Sequence, residues 1–243
     1  EGNPANPAKF TFNFKALDAN NPMPEGSVDG IKEATITGSG TTSIGNIEFK
    51  LPGTYVYELT EVQGAARGYT YDQTVYTFTY KVKDVNGDLQ SELVITKGTE
   101  EVNTAEFTNV YKPNPVKVDP PVEKVVVGSP ENPSTFTFRL KTLNPNNPMP
   151  QGSSNGVKAV TITGAGETEF GEFEFTEEGT YVYEISEEVG SDSNYAYDAS
   201  TYTITYTVTD DNGQLVVDTM VVKDDGTEIP VATFVNTYTE PKK

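Results

Sequence analysis

The sequence has no cysteine, no histidine and no tryptophan. Without cysteine there is no disulfide, no zinc site of the Cys/His kind and no thiol nucleophile. Without histidine the Ser-His-Asp arrangement is excluded. Basic residues are scarce too, with 17 Lys and Arg against 36 Asp and Glu, a net charge of −19. Nucleic acid is thereby disfavoured as a partner, because affinity for it comes mainly from Lys and Arg neutralising phosphates. No apolar run approaches membrane-spanning length, so no membrane insertion is expected. No signal peptide opens the 243 residues and no sorting tail closes them, so an exported protein would carry both elsewhere.

The acids are scattered and read as a soluble, self-repelling surface. "DVNGDLQSE" (84–92) and "DDNGQLVVD" (210–218) faintly resemble calcium loops. Each lacks the regular ligand spacing and the closing glutamate of such a loop. Asn-Gly between alternating runs is a strong hairpin signal, so both read as turns. No metal site and no cofactor is expected.

Most of the sequence occurs twice. "FTFNFKALDANNPMPEGS" (10–27) matches "FTFRLKTLNPNNPMPQGS" (136–153), and "GTYVYELTE" (53–61) matches "GTYVYEISE" (179–187). "YTYDQTVYTFTYKVKDVNG" (69–87) matches "YAYDASTYTITYTVTDDNG" (195–213), and "FTNVY" (107–111) matches "FVNTY" (234–238). The offset grows from 126 to 127, so the second copy carries one extra residue near its end. The proline-rich stretch "KPNPVKVDPP" (112–121) lies between the copies and favours an extended connection. The expected domains are therefore 1–113 and 114–243. In each, Val, Thr, Tyr and Phe alternate with polar residues in short runs punctuated by Gly, Pro and Asn-Gly. The expected fold is all-β, two tandem immunoglobulin-like β-sandwich domains joined by a proline-rich linker.

In a strand, residues i, i+2 and i+4 share a face. Along 122–127 that sets Lys124 in line with Val122 and Val126. Along 181–187 it sets Glu187 after Tyr181, Tyr183 and Ile185, and along 234–238 it sets Asn236 between Phe234 and Tyr238. Three polar side chains thus lie on apolar faces, where each needs a partner. A buried salt bridge with a hydrogen-bonded asparagine would satisfy them, and so would strand ends that reach water. A third reading is chemical. An apolar pocket disfavours the charged forms of both amine and carboxyl. A neutral Lys124 amine is a nucleophile, and attack on Asn236 Cγ would expel ammonia and leave an amide. Glu187 would polarise the carboxamide and shuttle the protons.

The ordered motifs "VEKVVVG", "FTFRLK", "PMPQGS", "TITGAG", "GTYVYEISE", "YAYD", "DNGQL" and "FVNTY" resemble the pilin isopeptide-linkage repeat of Gram-positive surface proteins, the family of the group A streptococcal major pilin. The resemblance spans nearly the whole sequence, twice. It implies a crosslink between a first-strand lysine and a last-strand asparagine, here Lys124 and Asn236, with Glu187 catalytic. The first copy keeps the corresponding Glu61 and Asn109, but the counterpart of Lys124 would fall two positions before Glu1. Lys9 matches Thr135 and does not replace it.

The resemblance also implies a non-enzymatic structural role with one autocatalytic turnover, as a stalk module of a cell-wall-anchored adhesin or pilus-like protein. It implies an extracellular location and neighbouring repeats of the same parent as partners. A second reading is a ligand-binding adhesin domain, with tyrosine-rich loops meeting a host glycan or protein. A third is a hydrolase using Glu184, Glu187 and Glu188. Glu184 and Glu187 fall on opposite strand faces, which removes a facing carboxylate pair.

Overall fold

Alternating β-branched and aromatic residues make every regular element a strand. The structure, a computed structural model, describes residues 1–241, and no helix occurs among them. The chain forms two compact units, the first spanning Glu1–Lys112 and the second running from Pro113 onward.

The first unit contains β1 (Lys9–Ala16), β2 (Ile31–Thr37), β3 (Gly53–Glu61), β4 (Tyr69–Thr70), β5 (Val75–Val85), β6 (Asp88–Lys97), β7 (Glu100–Val102) and β8 (Val110–Tyr111). Six of them form an antiparallel sheet in the order β2-β1-β3-β5-β6-β7, and β4 pairs with β8. The second unit contains β9 (Val116–Val118), β10 (Pro121–Val127), β11 (Thr135–Thr142), β12 (Val157–Thr163), β13 (Gly166–Glu169) and β14 (Phe173–Phe175). It continues with β15 (Gly179–Glu187), β16 (Tyr195–Ala196), β17 (Thr201–Asp211), β18 (Gln214–Lys223), β19 (Glu228–Ile229) and β20 (Ala232–Tyr238). Its large sheet, β12-β11-β15-β17-β18-β19, repeats that of the first unit, and a second sheet runs β13-β10-β20-β16.

Both acidic stretches are hairpin turns. Asn86 and Gly87 have φ of 58° and 93°, and Asn212 and Gly213 have 50° and 88°. Two successive positive φ values in a two-residue loop make a type I′ turn, which matches the twist of its strands. The extra residue of the second copy lies in the next hairpin. There Lys223 donates its N–H to Thr227, whereas Lys97 pairs with Glu100.

Inward-facing rings fill the two cores. Phe138 of β11 meets Phe234 of β20 across the second sandwich, their centroids 5.3 Å apart. The repeated "NPMP" loop closes over a buried tyrosine in each copy. Tyr57 donates its hydroxyl to Pro22 O at 2.7 Å, and Tyr183 donates to Pro148 O at 2.8 Å. These bonds satisfy polar tips that burial would otherwise leave unpaired. The proline-rich stretch is more than a connector. Alternating Val116 and Val118 form β9 against β14 and so belong to the second unit.

The two copies differ in their smaller sheet. In the second unit β10 lies between β13, to which it is antiparallel, and β20, to which it is parallel. The matching segments of the first unit, Gly40–Ser43 and Ala105–Asn109, form no strand. A ladder needs a partner, and Glu1 supplies a short one at the end of the second segment, donating from its N-terminus to Asn109 O and accepting from Tyr111 N.

Candidate functional site

The parallel pairing of β10 and β20 puts Lys124 opposite Phe234 and Val126 opposite Asn236. Lys124 and Asn236 therefore lie on one face, two residues apart along the ladder. Glu187 ends β15 in the other sheet, opposite Phe138 of β11. The alternation that buries Tyr183 and Ile185 carries Glu187 to the same interior face. The three residues picked out by strand periodicity converge here.

Lys124 Nζ donates to Glu187 Oε2 at 2.7 Å, and Asn236 Nδ2 donates to Glu187 Oε1 at 2.7 Å. One carboxyl group thus holds both nitrogens. The Lys124 and Glu187 side chains are wholly shielded from solvent, and Asn236 is 0% exposed. Lys124 Nζ lies 4.7 Å from the Phe136 ring centroid and 5.9 Å from that of Phe138. Burial in this aromatic enclosure pushes the Lys124 amine below its ordinary value, against the pull of Glu187. Burial likewise raises the Glu187 carboxyl, against the hydrogen bonds from Lys124 and Asn236. Both shifts favour the neutral pair, in which the proton sits on the acid and the amine keeps its lone pair.

A fourth residue, Asp198, was not singled out from the sequence. Its backbone N–H donates to Asn236 Oδ1 at 2.8 Å. A backbone N–H can only donate, so the carboxamide must turn its oxygen to Asp198 and its nitrogen to Glu187. The Asp198 carboxylate fixes that N–H in place by accepting from Ser200 N at 2.9 Å and Val235 N at 2.8 Å. Burial pulls its pKa up, but these hydrogen bonds outweigh burial and hold it below the ordinary value. The spacing "YDxS" is an Asx-turn signal that points to it.

The first copy repeats the arrangement without the amine. Asn109 Nδ2 donates to Glu61 Oε1 at 2.6 Å, and Asp72 N donates to Asn109 Oδ1 at 2.7 Å. Glu61 Oε2, the oxygen that would face a lysine, is buried without a hydrogen-bond partner. Lys9 lies on β1 with an exposed side chain, away from this face.

The other candidate roles gain nothing from the geometry. Glu188 forms an exposed ion pair with Arg139, apart from Glu187. Tyr69 and Tyr71 are half-buried and pack edge-on against Phe10, so they do not form a flat open patch. Among the described residues no group of acids is placed to hold a metal ion.

A comparison with curated protein sequences finds no match. Among solved structures, the major pilin of Streptococcus pyogenes aligns over 96% of this chain and 92% of its own, with 16% identity and a TM-score of 0.34. The T3.2 major pilin of the same species aligns over 97% and 91%, with 18% identity and a TM-score of 0.30. The SpaC pilus adhesin of Lactobacillus rhamnosus GG aligns over 96% of this chain and 29% of its own, with 15% identity and a TM-score of 0.27. A family match covers residues 1–112 and again 120–239, taking in both units and, in the second, Lys124, Glu187 and Asn236 together. The chain belongs to the FctA family of Spy0128-like isopeptide-containing domains.

Proposed function

We propose that the second unit closes an amide bond between Lys124 and Asn236, once and without a cofactor, and that the chain is a load-bearing stalk module of a wall-anchored adhesin or pilus-like protein. The observation that carries this reading is the single carboxyl group of Glu187, one oxygen on each reacting nitrogen.

In the neutral pair, Lys124 Nζ attacks Asn236 Cγ. The negative charge that develops on Oδ1 falls on the N–H of Asp198, already in hydrogen-bonding position. Glu187 accepts a proton from Nζ at Oε2 and delivers one to Nδ2 from Oε1. The Cγ–Nδ2 bond breaks, ammonia leaves, and the Cγ–Nζ bond remains. Amines attack carboxamides slowly in water. Burial supplies the neutral nucleophile, and the fold supplies the large effective concentration of a held pair. Folding is then the only substrate-binding step, and the product is the protein itself.

Neighbouring repeats of the parent protein would be its partners. Intact mass tests the chemistry. The purified chain should be lighter than its sequence by one ammonia, and Lys124→Ala and Asn236→Ala should each show their full sequence mass. Glu187→Ala should fold but stay unlinked. A parent chain of full sequence mass would sink the proposal.

A further inference from the structure

The repeated motif reads "YTYD" at 69–72 and "YAYD" at 195–198. Its aspartate supplies the N–H that holds the carboxamide oxygen, and its second tyrosine takes no part in the bond-making steps. We propose that this tyrosine, Tyr197 in the second unit, is a positioning residue for amide formation: its hydroxyl fastens the loop after Glu187 across the end of the site, and its ring stands between the Lys124 amine and water. The proposal rests on the amide chemistry proposed above and names the residue that keeps the nucleophile dry.

Backbone register brings Tyr197 to the site. β16 pairs Tyr195 with Tyr238 and Ala196 with Thr237 of β20. The next step along the same ladder sets Tyr197 beside Asn236, on the inward face. Its half-buried ring meets Phe136 edge-on, with centroids 6.3 Å apart. Phe136 in turn lies 4.7 Å from Lys124 Nζ.

The hydroxyl serves the loop. The backbone N–H of Asp192 lies against it, and in the first unit Ala66 N donates to the Tyr71 hydroxyl at 3.2 Å. Glycine makes the approach possible. A Cβ at Gly190 would fall 2.4 Å from the Tyr197 hydroxyl oxygen, and one at Gly64 would fall 2.4 Å from that of Tyr71. Any other residue would push loop and ring apart. The two loops, "EVQGAARG" (61–68) and "EEVGSDSN" (187–194), share only the leading acid and this glycine. The same tyrosine contact is therefore kept by two loops of different sequence. In the second unit Ser134 Oγ also donates to Asp192 Oδ2 at 3.2 Å and ties the loop to the turn before β11.

The charge balance shows what the tyrosine contributes. The charged groups facing Lys124 are Glu187 from β15 and Asp198 from the turn after β16, and both pull the amine towards its charged form. Burial opposes them and prevails. Tyr197 itself stays neutral, because burial raises its hydroxyl above the ordinary value. Water entering past Tyr197 would weaken the effect of burial, and the proton would move from the Glu187 carboxyl to the amine. A charged amine has no lone pair with which to attack Asn236 Cγ.

The test compares the full chain with Tyr197→Phe, which keeps the ring and removes the anchor. Each is recovered unlinked in denaturant, refolded by dilution at a series of pH values, and sampled by intact mass for the loss of ammonia. The parent rate should be flat between about pH 6 and pH 9, because the acid and amine share one proton throughout that range. The Tyr197→Phe rate at pH 7 should be lower by about tenfold for each unit that the amine rises, and should climb towards the parent rate as pH increases. Gly190→Ala should behave alike. A second measurement does not depend on the reaction. In the Asn236→Ala background no link forms, and the Lys124 Nζ resonance, followed by NMR against pH, should titrate higher with Tyr197→Phe than without it. A flat rate profile or an unshifted resonance in Tyr197→Phe would overturn the proposal, even with a lowered melting temperature, which a merely structural tyrosine would also give. A parent chain that keeps its full sequence mass would instead overturn the amide chemistry on which the proposal rests.

Discussion

Asn236→Ala isolates the mechanical staple better than any change at Lys124. Removing the lysine amine would leave Glu187 buried without its cation and open a cavity beside Phe136, two costs unrelated to the crosslink. Removing the carboxamide keeps the Lys124–Glu187 pair at 2.7 Å. It deletes the bond from Asp198 N to the carboxamide oxygen and the one that the N–H of the linked amide would make to Glu187, which are worth about 1 kcal/mol each. It also opens the loop running from residue 124 to residue 236. A covalent bond closing a loop of that length restricts the unfolded chain by about 5 kcal/mol in the chain-entropy account. The total expected loss is about 6–7 kcal/mol. For a unit of this size each kcal/mol moves the melting temperature by roughly 4 °C. The second unit of Asn236→Ala should therefore melt roughly 25 °C below that of the parent chain.

Scanning calorimetry on both proteins, with intact mass measured on the same samples, checks this. The two hydrogen bonds alone account for about 2 kcal/mol, or about 8 °C. A shift no larger than that, in a parent chain shown by mass to be crosslinked, would refute the loop-closure reasoning. The native fold of the variant should be unchanged, because the staple acts on the unfolded ensemble and the β10–β20 ladder does not need it.

Two further outcomes concern the first unit. It should melt before the second and be cut first by protease, because its smaller sheet is reduced to β4 and β8 and its aromatic floor is open; one cooperative transition spanning both units would contradict this. Burial raises the Glu61 carboxyl above its ordinary value of 4.5, with the Asn109 hydrogen bond opposing, so the folded unit binds more protons than the unfolded chain from that pH upward, and stability falls as pH rises through this window. Glu61→Gln should remove that slope and raise the first transition at pH 7 but not at pH 4, as read by calorimetry across pH; an equal effect at both would separate Glu61 from the titration.

Much of the site is legible in the sequence because a strand's period is two. Lys124, Glu187 and Asn236 each break an apolar face, and the spacing sets each in line with apolar neighbours while leaving open a strand end that reaches water. The periodicity cannot say that they meet. That depends on β10 and β20 pairing in parallel, and a parallel pair between distant segments leaves no local signature comparable to the Asn-Gly hairpins. Asp198 is hidden for another reason. It acts through its backbone N–H, which every residue type except proline supplies, and only the Asx turn to Ser200 distinguishes it. The strand character of Val116–Val118 is masked by the prolines around it. The segments Gly40–Ser43 and Ala105–Asn109 align with strands of the second copy. They form none because strand structure belongs to pairs of segments.

The parallel pairing also determines how a pulled stalk would share its load. Tension applied along the chain enters β10 at Pro121 and leaves β20 at Tyr238, at opposite ends of neighbouring parallel strands. The ladder is then loaded in shear, with its hydrogen bonds resisting together. With the proposed amide in place, the path runs along the backbone to Lys124, through the two side chains, and out from Asn236. The sequence between them bears no tension and the sandwich need not unfold. Glu187 comes from the opposite sheet and is not in that path, so the group that makes the bond is not strained by its use. The first unit has the acid, the carboxamide and the supporting N–H in the same geometry. In the second unit one strand, β10, carries both the nucleophile and one end of the load path.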